Sequence, residues 1–491
     1  MLRKTILTAV AVSLLWSAGV AARAAQPARP FLHPLFSDHA VLQRDVPLPV
    51  WGWTAPGRTV HLSIGGKTAE ATAAADGRWQ ATIGPFAAGG PYRLEVSGPK
   101  DVAVDDVLFG DVWICSGQSN MEMGIANCNA PADIATAGIP QLRLLTVPRL
   151  VIGKPVQVAS VTWLPSSPAN VQKGVWGGFT AAGFYFGREL YKELKIPIGL
   201  IHTSWGGTVA EAWTSREGLK PLADFQGRLE QLQAGLRARP PRFDAGNPNV
   251  STVLYNGMIS PLVPFAIKGA IWYQGESNAG RAWQYRTLLP AMIGDWRAHF
   301  GVGDFPFYIV QLAAWQQPAK EPRENDWAEL REAQALTAQQ VPNCGLAVAI
   351  DIGDAQDIHP KDKRDVGRRL ALCALANAYG KPIEWSGPWY KSMETAGKAI
   401  RLHFNHVGGG LVVKGEKLKG FTIAGEDRKF VWADATIEGD SVLVSSAKVE
   451  HPLAVRYAWD INPVCNLFNQ EGLPAVPFRT DDWPAVTAKN K

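Results

Sequence analysis

Between residues 31 and 105, short apolar runs alternate with polar turns at close spacing. Val46-Pro-Leu-Pro-Val-Trp-Gly-Trp53, Thr59-Val-His-Leu-Ser-Ile64 and Trp79-Gln-Ala-Thr-Ile83 are separated by Ala55-Pro56-Gly57, Gly65-Gly66 and Asp76-Gly77, and Gly89-Gly90-Pro91 follows. Runs broken in this way read as strands, and a small β-sandwich is the natural way to bury one face of each. From 106 to 385 the pattern changes. Apolar runs at 107–115, 142–147, 198–202, 266–272, 307–312 and 346–350 predict strands, with helical stretches between them. Over 179–194, Phe179, Gly183, Phe186 and Leu190 share one helix face; over 362–379, Val366, Leu370, Cys373 and Ala374 do the same. Strands alternating with helices predict an α/β unit, a parallel sheet covered on both faces. Residues 386–491 return to a β pattern, in runs such as Ala399-Ile-Arg-Leu-His-Phe404 and Ser441-Val-Leu-Val444. The stretch 237–250, rich in Arg, Pro, Asn and Gly, has no periodicity and is expected to be an exposed loop.

A chain of 491 residues exceeds the size at which one core stops growing, which agrees with several domains. Its first residues carry an export pattern: Arg3 and Lys4, an apolar stretch from Ile6 to Val20, and Ala22-Arg23-Ala24 as a cleavage site. Residues 1–24 are therefore expected to be a signal peptide, and the protein to be secreted or periplasmic. Loss of Arg3, Lys4 and Arg23 takes three from the formal charge of +5 and leaves +2. That balance, with no block of like charges, gives no case for nucleic acid. No later stretch is long and apolar enough to span a membrane. Cys115, Cys128, Cys344, Cys373 and Cys465 lack zinc-like spacing. A Cys115–Cys128 bridge is open; the other three read as small core residues.

In an open parallel sheet, ligands bind beyond the carboxyl ends of the strands. Past 107–115 comes Ser116-Gly-Gln-Ser-Asn-Met121, and past 198–202 comes Ser204-Trp-Gly-Gly-Thr208. Past 266–272 comes Gln274-Gly-Glu-Ser-Asn278, and past 346–350 come Asp351, Asp354, Asp357 and His359. A hydroxyl, a glycine pair, an amide with a carboxylate, and a carboxylate with an imidazole are the parts of an acyl-transfer site. A serine needs an imidazole to take its proton, and the imidazole needs an acceptor to fix its tautomer. Backbone N–H groups at Ser119 and in Gly206-Gly207, with the Gln274 amide, are candidates for holding the oxyanion. His202 falls inside a strand and reads as packing. Ser119 is not in a G-x-S-x-G elbow, since Met121 stands where glycine would be required.

The four blocks Ser116–Met121, Ser204–Thr208, Trp272-Tyr-Gln-Gly-Glu-Ser-Asn278 and Asp357-Ile-His-Pro360 resemble those of the sialate O-acetylesterase family, within the SGNH hydrolases. His39-Ala-Val-Leu-Gln-Arg44, Trp327-Ala-Glu-Leu-Arg-Glu-Ala-Gln334 and Asn466-Leu-Phe-Asn-Gln-Glu-Gly-Leu-Pro474 extend the resemblance over nearly the whole chain. It implies a three-layer α/β catalytic domain at 106–385 between β regions at 31–105 and 386–491. It implies no metal or organic cofactor, and removal of O-acetyl groups from a carbohydrate through an acyl-serine. Carried over by position, Ser119 is the nucleophile, His359 the base, and Ser119, one of Gly206 and Gly207, and Gln274 form the oxyanion hole. Many SGNH hydrolases place the acid three residues before the histidine, where this chain has Gln356. Asp357 is the nearest acid, and Glu276 competes with it for orienting His359. Gln118, Asn120, Trp205 and Asn278, inside the blocks, are expected beside the substrate; Trp213, Trp315, Trp327 and Arg331 are further candidates. Two other readings remain at this stage: a carbohydrate-binding protein with an inactive hydrolase domain, and a metal hydrolase built on Asp351, Asp354, Asp357 and His359.

Overall fold

The computed structural model describes residues 29–491, so the signal peptide expected at 1–24 lies outside the described residues. Its centre is six parallel strands: β1 (Val102–Gly117), β2 (Leu142–Thr146), β3 (Ile198–Ser204), β4 (Gly269–Tyr273), β5 (Phe307–Val310) and β6 (Cys344–Ala347). They lie in the order β6-β5-β4-β1-β3-β2. A two-residue strand, Leu164–Pro165, pairs antiparallel outside β2 and makes the sheet mixed.

Alternate residues of each strand enter opposite cores. Trp113, Cys115, Ile271, Tyr273, Tyr308 and Val310 pack with Phe186 and Leu190 of α1 (Ala181–Leu194) and Leu370 and Cys373 of α4 (Lys363–Asn377). Val112, Ile114, Ala270, Trp272, Phe307 and Ile309 pack with Met292 and Trp296 of α2 (Ala282–Phe300) and Leu330 of α3 (Asp326–Gln340). Both faces are thus apolar, which is why these strands read as continuous apolar runs rather than alternating ones. The helix starts are capped: Thr180 accepts from Gly183 N–H before α1, and Asp362 from Asp365 N–H before α4.

β1 is longer than its apolar run. Its first half pairs antiparallel with Gly89–Ser97 and parallel with Val41–Gln43, and its second half lies between β3 and β4. The change of pattern at 105/106 therefore falls inside one strand. Beyond it, Leu48–Trp53 pairs with Arg78–Ile83, and Thr59–Ile64 joins Lys67–Thr72 to Gly89–Ser97.

After α4, Trp389–Ala396, Ala399–Asn405, Ser441–Ser445 and Asp434–Glu438 form one antiparallel sheet, and Val431–Trp432, Phe421–Ala424, Ala454–Tyr457 and Phe478–Arg479 another. Arg331 of α3 docks this region. It is wholly buried and donates to the carbonyls of Leu312, Ala313, Asp460 and Ile461. Trp327 is likewise buried, its indole N–H on Ala313 O. Neither side chain is available to a ligand. All five cysteines are free, Cys115 and Cys128 included. Among the described residues, no helix is long and apolar enough to cross a membrane.

Candidate active site

The carboxyl ends of β1, β3 and β4 meet around one short helix, Ser119–Glu122, and the turn after β6 reaches it through Ile358. Gly117 has φ +142°, and a Cβ there would lie 2.1 Å from Tyr273 O, so β1 and β4 end in contact only because that residue is glycine. Gln118, 3% exposed, turns inward and accepts from the N–H groups of Gly275 and Ser277 at 3.4 and 3.2 Å. Asn120, 1% exposed, donates to Glu276 Oε1 at 2.6 Å and Ile358 O at 3.0 Å, and accepts from Lys363 Nζ at 2.7 Å. One amide therefore ties the turns after β1, β4 and β6 together, with Ser119 on one side of it and Ile358 next to His359.

His359 Nδ1 lies 3.3 Å from Asp357 Oδ1, and the same oxygen accepts the His359 backbone N–H at 2.9 Å. The ring stands edge-on to Trp176, with centroids 4.8 Å apart at 79°. Burial lowers the pKa of His359 and the Lys363 charge adds to that, while Asp357 opposes both. The imidazole is accordingly in its proton-accepting form at neutral pH. Among the described residues, no hydrogen bond joins Ser119 to His359. Such contacts often tighten only when substrate is bound. Glu276 keeps its bond to Asn120, while its buried Oε2 has no partner and desolvation raises its pKa.

Beneath this pair sits Lys363, wholly buried, donating to Asn120 and, at 2.6 Å, to Pro360 O. Burial pushes its pKa down to about 8, against the nearby Cys128, Glu276, Asp357 and Asp362.

The turn after β3 approaches Ser119 from the other side. A Cβ on Gly206 would meet Glu122 Oε2 at 3.1 Å and Ser119 Cβ at 3.2 Å. Gly206 N–H donates to Glu122 Oε2 at 2.8 Å, and Glu122 is paired on its other oxygen with Arg149. The Arg149 guanidinium lies 5.0 Å over the partly exposed Trp205 ring. Gly207, at φ +72°, has open space around its Cβ position.

Several expected contacts have other tasks. Gln274 is wholly buried; its amide donates to Thr208 O at 3.1 Å and Asn278 Oδ1 at 2.7 Å, and accepts from Tyr285 OH at 2.7 Å. Both its N–H groups are spent, so the amide does not face Ser119 as an oxyanion donor. Asn278 is 1% exposed and bonded to Gln274, Ala210 N–H and Glu211. Gln118, Asn120 and Asn278 are thus fasteners of the strand-end turns rather than surfaces for a substrate. Trp213 is buried with its N–H on Thr208, and His202 is buried with Nε2 2.6 Å from Ser204 Oγ. Asp351 is held bidentate by Arg369, which removes it from the metal-hydrolase constellation.

Trp176, Arg149, Glu122 and Lys363 are the residues that sequence reasoning passed over. Trp176 had a signal in Gly174-Val-Trp-Gly-Gly178: it has φ +47°, held by Gly124 N–H and Asn127 Nδ2 on its carbonyl. A bulky residue in that conformation is strained, and strain of this kind concentrates at functional sites.

A serine, an imidazole and a carboxylate at the carboxyl ends of a parallel sheet are equipped for acyl transfer to and from the hydroxyl. The family described as carbohydrate esterase, sialic acid-specific acetylesterase, matches residues 109–376. The chain belongs to this family, and is a carboxylic ester hydrolase of the carbohydrate-esterase class. It is 31% identical to the human sialate O-acetylesterase over 87% of this chain and 88% of that one. The mouse sialate O-acetylesterase is 31% identical over 90% of this chain and 92% of that one. A solved carbohydrate acetylesterase from Xanthomonas citri superposes with a TM-score of 0.83 at 42% identity, covering 92% of this chain and all of that one.

Proposed function

We propose that the protein is an SGNH-type serine O-acetylesterase that deacetylates a carbohydrate outside the cytoplasm, after removal of the 1–24 leader. The observation that carries the reading is the Asn120 amide, which binds Glu276 and Ile358 O and so holds Ser119 beside the His359 turn. His359 takes the Ser119 proton, and Oγ attacks the acetyl carbonyl carbon. The tetrahedral intermediate collapses, the sugar oxygen leaves with the proton from His359, and acetyl-serine remains. His359 then deprotonates a water that attacks the acetyl carbon; acetate leaves and the Ser119 hydroxyl is restored. Asp357 steadies the imidazolium. Ser119 and Gly207 N–H are the proposed oxyanion donors, since Gly206 N–H is taken by Glu122 and the Gln274 amide is consumed. Glu122 fixes the glycine turn, and Arg149 offsets its charge.

Trp205 and Trp176 flank the reacting groups and are the proposed sugar contacts. Arg149 and Lys363, the two cations packed against the site's own groups, are committed to Glu122 and to Asn120 with Pro360, which leaves Lys361, exposed two residues from His359, as a cation open to solvent. Commitment of the two packed cations favours a neutral acetylated polysaccharide over a sialate carboxylate. Acetate release from acetylated xylan, acetylated xyloglucan and 9-O-acetyl sialic acid, with wild type and Ser119→Ala side by side, tests both levels. Loss in Ser119→Ala with acetyl trapped on Ser119 in the wild-type mass spectrum is expected. Acetyl on another residue overturns the mechanism, and preference for the sialate overturns the substrate assignment.

A further inference from the structure

Trp432 lies in the C-terminal β region, outside every block used above, and is 44% exposed. Its ring is fixed by its N–H, which donates to Lys320 O at 2.9 Å. Hollows of about 160 Å³ and 380 Å³ open beside it and share Ala319, Gly420, Trp432, Asp460 and Pro463 as walls. The tryptophan is therefore a fin in a longer trough rather than the rim of a single pit. The larger hollow is of the size that takes a small organic ring.

The smaller hollow has a polar feature that the protein leaves unused. Trp459, 7% exposed, lines it, and its indole N–H is buried without a partner. An orphaned buried donor costs about 1–3 kcal/mol, which an acceptor entering the hollow, a water or a ligand hydroxyl, recovers. The formal charges on the walls balance: Arg323, Arg428 and Arg456 stand against Glu321, Glu324 and Asp460 in the smaller hollow, where Arg323 pairs with Asp460 at 2.9 Å and Arg456 with Glu324 at 2.7 Å, and Lys417 and Lys419 stand against Asp434 and Asp460 in the larger. An aromatic fin, an unfilled donor and neutralised walls suit a chain of uncharged sugar rings, with one apolar face to stack and hydroxyls to accept.

The trough also has a physical link to the catalytic face. Ala319 is four residues from Trp315, at most ~14 Å of chain. Trp315 bridges Asp354, on the turn that carries His359.

We infer that the trough around Trp432 is an accessory binding site for a neutral polysaccharide chain, which holds the polymer while its acetyl groups are processed at Ser119. This rests on the esterase reading for its purpose but not for its binding.

The test is affinity electrophoresis of the full chain through gels containing deacetylated xyloglucan or deacetylated xylan. Hydrolysis of a small aryl acetate is measured in parallel. Wild type and Ser119→Ala are expected to be retarded equally by at least one polymer. Trp432→Ala is expected to weaken retardation about tenfold, the worth of one stacked aromatic, with aryl-acetate hydrolysis unchanged. Trp459→Phe, which keeps the ring and removes the N–H, is expected to weaken it about threefold or more. Unretarded wild type, or Trp432→Ala retarded like wild type, overturns the inference. Absence of aryl-acetate hydrolysis by wild type counts against the esterase reading alone.

Discussion

The structure separates two carboxylates that compete for His359, and Asp357→Asn against Glu276→Gln converts that separation into rates. Asp357 Oδ1 is 3.3 Å from His359 Nδ1, while Glu276 is turned to Asn120. A unit charge at 3.3 Å stabilises the imidazolium by about 5 kcal/mol at an effective dielectric near 20 and about 1.3 kcal/mol in water. The Asp357 side chain is 45% exposed, which places it towards the aqueous limit. A loss of about 1–3 kcal/mol is expected for Asp357→Asn, or about 5- to 150-fold in kcat/KM on an aryl acetate. Glu276→Gln keeps an oxygen on Asn120 Nδ2 and is expected to change kcat/KM by less than about threefold. The acid limb of the pH profile supplies a second readout. Asp357 raises the pKa of His359, so Asp357→Asn moves that limb to lower pH, while Glu276→Gln leaves it in place. A larger loss in Glu276→Gln than in Asp357→Asn, or a limb that moves only in Glu276→Gln, refutes the assignment.

Other perturbations read other parts of the site. Gly206→Ala pushes a methyl against Ser119 and Glu122; a kcat loss of about 10- to 100-fold is expected with Tm nearly unchanged, and wild-type kcat would show that the turn has room. Gln274→Ala strands Thr208 O, Asn278 and Tyr285 OH, and is expected to cost about 2–4 kcal/mol in urea unfolding. Wild-type stability with a kcat loss of about 100-fold or more would instead restore Gln274 to the oxyanion hole. The wild-type acid limb is expected below pH 6.5, because burial lowers the His359 pKa; a limb above that value contradicts the burial argument. His299 is raised to about 9, chiefly by its hydrogen bond to Asp295. A raised histidine stabilises fully below its unfolded pKa and loses that contribution as pH climbs through the folded one. The Tm gap between wild type and His299→Gln should therefore be wide at pH 6 and close by pH 10; a gap that does not shrink refutes the pairing.

The strand ends were legible because strands buried on both faces are unbroken apolar runs, and the residue after each run is where an open sheet presents its chemistry. Ser119, His359 and the Gly206-Gly207 turn follow from that rule. What the amides do does not, since a Gln or Asn in a block looks the same whether it points at solvent or inward. Gln118, Asn120, Gln274 and Asn278 all point inward, because turns packed this closely leave carbonyls and N–H groups that only side-chain amides can satisfy. Arg149 comes from an irregular segment with no period to read, and its pairing with Glu122 exists only in three dimensions. Asp105-Asp106 looked like the end of the first unit for a local reason. The ladder with Gly89–Ser97 shifts register there, Asp106 adopts φ +55°, and its carboxylate is held by His39 and Arg143. That is a bulge, with the strand continuing beyond it.

That continuation limits how the protein can be rearranged by evolution or by recombination. A domain joined by a linker can be exchanged as a cassette, but here the crossover point would fall within a sixteen-residue strand whose two halves serve different neighbours. Any replacement for residues 31–105 would have to supply an antiparallel partner for the first half of β1 and keep its bulge in phase. A shift of one residue would turn Trp113 and Cys115 to the opposite face and carry the Ser119 turn with them. The N-terminal β unit and the nucleophile turn are therefore mechanically coupled through one strand.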